Sequence, residues 1–170
     1  YYTNNNTIND TRINVTTSDL PGVCLLSGSD NNRLRGNNVY KEGAGPITYS
    51  YGNSNNTFIN NTFTSQPGAL GLTLGYGTDK VSMINNTITT VDEEAIMIDP
   101  SGPGGNFYLE GNNISSTEAE GVYFWGAGIN ASLTNDIIAG SPDVYVDSLF
   151  NGYANFTKVS LDKADIAFEA

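Results

Sequence analysis

Residues Asn55 to Asp79 read NNTFINNTFTSQPGALGLTLGYGTD, and this stretch recurs along the chain. Its apolar markers are Phe58, Phe63, Leu72 and Leu74, the first two preceded by asparagine pairs and the last two set among glycines. In the other copies Phe58 is matched by Ile8, Leu34, Met83, Leu109, Leu133 and Phe156, and Phe63 by Ile13, Val39, Ile88, Ile114, Ile138 and Leu161. Leu72 is matched by Val23, Ile47, Ile96, Val122, Val144 and Ile166. Leu74 is matched by Leu25, Tyr49, Ile98, Phe124, Val146 and Phe168. Every position in these four columns is apolar or aromatic, although the chain is only 38% hydrophobic. The period is 23 to 26 residues, which is the signature of a repeat array.

The apolar runs are too short and broken for helices, and Leu72-Thr73-Leu74 alternates as a half-buried strand does. Each copy therefore predicts three short strands separated by Asn, Gly, Ser and Asp turns. Such a unit cannot bury its own apolar face, whereas stacking on its neighbours makes one continuous core. The expected fold is all-β: a right-handed parallel β-helix of about seven coils. Successive coils would lie about 4.8 Å apart, giving a rod roughly 34 Å long. The repeat runs almost end to end, so residues 1–170 are read as one β-helix domain.

Two residues before the Phe63 column stand Asn37, Asn61, Asn86 and Asn112, with Thr11 and Asp136 at the ends of the series. Stacked side-chain amides can hydrogen-bond from coil to coil, so these four are expected to form an asparagine ladder. Val159 breaks the series and predicts an irregular seventh coil.

These features resemble the right-handed β-helix repeat proteins with NNTI/NNTF-type repeats. The group is abundant among surface proteins of methanogenic archaea. It includes the copper-binding accessory protein of nitrous oxide reductase maturation and, more distantly, pectate lyases and polygalacturonases. The resemblance spans about Asn5 to Phe168 and implies the architecture; function must be argued from a site. Polygalacturonases use a histidine in a G-H-G motif, and this chain has none. Pectate lyases pair calcium-binding aspartates with a basic residue, and here Arg12, Arg33 and Arg35 lie far along the chain from the acid-rich copies. Without histidine the soft copper ligands reduce to Met83, Met97 and Cys24. The chain is accordingly read as a non-enzyme without a cofactor or metal centre. Loose calcium binding at Asp92, Glu93, Glu94, Glu118 or Glu120 is the one exception entertained.

Seven basic residues against 18 acids give a net charge of −11, which argues against nucleic acid and anionic membrane surfaces. No run is long enough to span a bilayer. Cys24 is the sole cysteine. Nine N-x-S/T sequons, at Asn5, Asn9, Asn14, Asn55, Asn60, Asn85, Asn113, Asn130 and Asn155, lie near predicted turns and suit an extracellular or cell-surface glycoprotein.

Strand alternation assigns two outward columns to the third strand of each copy. The first is Cys24, Thr48, Thr73, Met97, Tyr123, Tyr145 and Ala167; the second is Leu26, Ser50, Gly75, Asp99, Trp125, Asp147 and Glu169. Met97, Asp99, Tyr123, Trp125, Tyr145 and Asp147 thus form a candidate patch for a protein partner or for surface glycans. Asp99 and Asp147, two coils apart, would be separated by about 9.6 Å, near the upper end for an inverting glycosidase pair. The last expectation is self-association. Neither terminal copy carries a visible cap, so head-to-tail stacking, or strand exchange through residues 1–14 or 155–170, would give a homo-oligomer or a filament.

Overall fold

A computed structural model describes residues 4–16, 19–99 and 104–169. Among these residues the chain forms 21 strands and no helix, wound into a right-handed parallel solenoid with three seven-stranded sheets. The first sheet stacks Thr7–Asn9, Arg33–Arg35, Thr57–Ile59, Val81–Ile84, Gly105–Glu110, Ala127–Thr134 and Asn151–Thr157. The second stacks Arg12–Val15, Asn38–Lys41, Thr62–Ser65, Thr87–Thr90, Asn113–Ser116, Ile137–Ala139 and Ser160–Leu161. The third stacks Val23–Leu25, Thr48–Ser50, Leu72–Leu74, Ile96–Ile98, Val122–Phe124, Val144–Val146 and Ile166–Phe168. No described helix is long and apolar enough to cross a membrane.

The Phe58 and Phe63 columns pair coil to coil in the expected register throughout. Leu34, Phe58, Met83, Leu109 and Leu133 line one wall of the core, and Val39, Phe63, Ile88, Ile114 and Ile138 another. Burying each such side chain stabilises the fold by about 1.5–3 kcal/mol.

The turn from first to second sheet explains the asparagine pairs. Asp10, Gly36, Asn60, Asn85, Gly111, Asn135 and Lys158 all take positive φ there. A left-handed residue is costly except for glycine and the short polar side chains that tolerate it, which six of these seven positions supply. The next residue carries the ladder. Asn61 donates from its backbone N and its Nδ2 to Asn86 Oδ1, both at 3.0 Å, and Asn86 does the same to Asn112 Oδ1 at 2.9 and 3.0 Å. Asn37 precedes them on Asn61, and Asn112 donates to Asp136 Oδ1 at 2.7 and 2.8 Å. Each Nδ2 also reaches back to a carbonyl of the preceding coil, Phe58 O for Asn86. Burial pushes the Asp136 carboxyl up, against the donors from Asn112 and Thr134 that stabilise its charge.

A second, shorter ladder runs through Asn6, Asn32 and Asn56, before the first sheet. These residues stand two before Ile8, Leu34 and Phe58, the same offset as in the main ladder, and so were legible in the sequence. In later coils that offset holds Val81, Phe107 and Ala131, which are buried. There the first-sheet strands lengthen from three residues to between four and eight, because an apolar side chain can join the core where an amide had to cap a turn.

The third sheet departs from expectation in the second coil. Thr48 pairs with Val23 and Leu72, and Ser50 with Leu25 and Leu74, so Thr48 and Ser50 point inward and Tyr49 points out. Ile47 is still fully buried but sits just before the strand. Ser50 Oγ donates to Asn53 Oδ1 at 2.9 Å, which satisfies the inward hydroxyl. Placing Tyr49 outside spares its phenol a burial without a partner. The connection preceding this strand has a different length in different copies, and a one-residue slip reverses every side chain.

Asn85 and Asn86 separate the two demands of the corner. Asn86→Ala strands two donors of Asn61 and the Phe58 carbonyl, and should cost roughly 3 kcal/mol in denaturant unfolding. Asn85→Gly keeps a residue suited to positive φ and should stay within about 1 kcal/mol of wild type.

Candidate functional site

The outer face of the third sheet is built by that corrected register. Its first outward column is Cys24, Tyr49, Thr73, Met97, Tyr123, Tyr145 and Ala167. The next column follows from the backbone bonds Tyr51 N to Leu25 O, Gly75 N to Ser50 O, Asp99 N to Leu74 O, Trp125 N to Ile98 O, Asp147 N to Phe124 O and Glu169 N to Val146 O. Tyr49 and Tyr51 therefore replace the expected Thr48 and Ser50 on this surface. The aromatic face runs from the second coil to the sixth.

The rings fall into two groups. Tyr49, Tyr51 and Tyr76 stack in series, with centroids 6.0 and 5.7 Å apart. The Tyr49 ring lies across Gly75 of the next coil, at ordinary contact distance, 3.6–3.7 Å, from where a Cβ would stand. Tyr123 and Trp125, two residues apart from each other in the sequence, stack with 6.2 Å between centroids and 7° between planes. Tyr145, on the next coil, meets Tyr123 edge-on at 5.1 Å and 85°. Trp125 is 40% exposed, and Asp99 and Asp147 flank it along its column.

Asp147 anchors this corner. Its Oδ1 accepts the Leu149 N–H at 2.6 Å, and its Oδ2 accepts the Tyr123 hydroxyl over a longer 3.4 Å. Burial, then the charge of Asp147 and the neighbouring Tyr145, pushes Tyr123 up to about 12. Tyr145 is also raised, by burial and then by Glu169, Asp147 and Glu120. Tyr49 is raised by burial first and by Tyr51, Cys24 and Asp99 after it. Neither outward column contains a lysine or arginine.

Away from this face, the acids considered for calcium have other roles or lie apart. Asp92 Oδ1 accepts Gly68 N–H at 2.7 Å. Burial, then Glu120 and Glu93, raises Glu94. Among the described residues no group of three or more His, Cys, Asp or Glu is placed to hold a metal ion. Met83 is buried in the core, and Cys24 is exposed on the third sheet.

All nine sequon asparagines are exposed, whereas the main-ladder residues Asn37, Asn61, Asn86 and Asn112 are buried. Asn5, Asn55, Asn60 and Asn85 occupy left-handed corners. The other five belong to the first two sheets or the turns beside them, and none lies on a strand of the third sheet.

The repeats, the three parallel sheets and the continuous core define the class: a parallel β-solenoid. The family model described as right handed beta helix region matches residues 1–138, and the chain belongs to that family. No curated protein and no solved structure matches it.

Tyr123 supplies a test of the electrostatics. Its folded pKa is raised above the ordinary value, so its contribution to stability is intact below pH 10 and lost as pH rises through about 12. The difference in phenolate absorbance between wild type and Tyr123→Phe should show one tyrosine ionising near pH 12. Asp147→Asn should move that ionisation back toward 10.

Proposed function

We propose that this chain is a non-catalytic, extracellular β-solenoid that binds glycans through the outer face of its third sheet. The observation that carries this reading is the pair of aromatic groups on this face, Tyr49, Tyr51 and Tyr76 in one and Tyr123, Trp125 and Tyr145 in the other, with Met97 between them and Asp99 and Asp147 beside Trp125. Exposed apolar residues scattered singly need no explanation, but rings gathered in groups on one sheet face do. Planar rings with polar edges suit the apolar faces of sugars, and carboxylates beside them suit sugar hydroxyls. The coil spacing of about 4.8 Å repeats the platform along an extended polymer. The distribution of sequons supports the same face, since glycosylation of the first two sheets would leave the third open. The resemblance of the repeats to archaeal surface proteins supports the extracellular position.

Titrating neutral and charged oligosaccharides against the fluorescence of Trp125, the only tryptophan, tests the proposal. A saturable change is expected. By affinity electrophoresis Trp125→Ala should weaken binding at least tenfold, about 1.4 kcal/mol. No response across a broad glycan set would overturn the reading.

A further inference from the structure

Two features of the Trp125 corner go beyond a general sugar platform. Tyr123 and Trp125 stack with nearly parallel planes while Tyr145 stands at 85° to Tyr123, so ring faces of two orientations come together at this corner. Asp147 lies at their junction, bonded to Tyr123, and Glu169 continues its column on the next coil. Aromatic faces attract cations through the ring quadrupole, and a carboxylate at the same point adds direct charge pairing. An anionic ligand would meet the opposite: carboxylates in the column and no basic side chain in either outward column.

We propose that the corner of Tyr123, Trp125, Tyr145 and Asp147 receives a protonated amino group, so that the preferred ligand is a linear glycan carrying free amino sugars. This rests on the glycan-binding reading of the third sheet and specifies its ligand. Burial first, and after it the acids Asp147, Glu169 and Glu120, raise the tyrosines of the corner, and Asp99 adds a further carboxylate beside Trp125. An ammonium group gains from each of them. A polymeric sugar is favoured over a lysine side chain of a protein because a second group of rings, Tyr49, Tyr51 and Tyr76, stands on the same face beyond Met97 and Thr73, giving sugar rings further along the chain a surface to lie on.

The test compares three probes at fixed ionic strength: chitosan oligosaccharide, its fully N-acetylated counterpart, and polygalacturonate. The deacetylated chain should bind at least tenfold more tightly than the acetylated one, and polygalacturonate should not bind. Trp125→Ala, which leaves the net charge unchanged, should weaken both neutral and cationic ligands. Asp147→Asn should erase most of the preference for the free amine while leaving the acetylated ligand bound, and Glu169→Gln should reduce it further. Circular dichroism of each variant establishes that the fold is retained. Equal binding of acetylated and deacetylated chains would overturn this inference and leave the glycan reading intact. Chitosan binding insensitive to Trp125→Ala and Asp147→Asn would overturn it as well, since only the overall charge would then be acting. Equal, Trp125-dependent retention on poly-lysine would overturn the choice of a glycan amine. Failure of all three glycans to bind wild type would fell the glycan reading and this inference together.

Discussion

Everything in this molecule depends on turning a chain through a tight corner without leaving a buried backbone donor unpaired. The amide ladder meets that demand. An Asn side-chain oxygen accepts both the backbone and the side-chain N–H of the Asn one coil earlier, while its own Nδ2 returns to a carbonyl of that earlier coil. Each residue therefore fixes the register of its neighbour, and an unsatisfied buried donor costs about 1–3 kcal/mol wherever register slips. The left-handed residue ahead of the ladder completes the device. Six of seven coils place Asn, Asp or Gly there, so the backbone bends at little cost.

With the corner between the first two sheets pinned in this way, the register of the third is set separately. Its strands are three residues long and follow connections of unequal length. The slip that turns Tyr49 outward is tolerated because Ser50 finds Asn53, although the buried Thr48 hydroxyl is left without a partner. The same slip brings Tyr49 and Tyr51 onto the surface beside Tyr76 and lengthens the aromatic face. A local compromise in the core thus enlarges the surface available for binding.

The chemistry of that surface follows from what its columns exclude as much as from what they contain. Carboxylates border the rings, and basic residues are absent from both outward columns. Asp147 is engaged by a backbone N–H and by the Tyr123 hydroxyl, so it shapes the corner as a fixed charge. Under the proposed function, rings held at set angles beside these carboxylates would discriminate ligands by charge.

The sequence by itself determined the repeat, the two apolar columns beside the asparagine corners, the main ladder and the Trp125 group. These are legible because period-two alternation and a fixed offset from Asn to the apolar marker recur in nearly every copy. The second ladder at Asn6, Asn32 and Asn56 obeys the same offset but gives a weaker signal, since the later coils place Val81, Phe107 and Ala131 there. The inward or outward sense of Thr48, Tyr49 and Ser50 was different in kind. No local pattern fixes it, since both Ile47–Tyr49 and Thr48–Ser50 alternate. Only the tertiary structure decided it, through the backbone pairing to Leu25 and Leu74, the hydrogen bond from Ser50 to Asn53, and the cost of enclosing a tyrosine hydroxyl between two leucines.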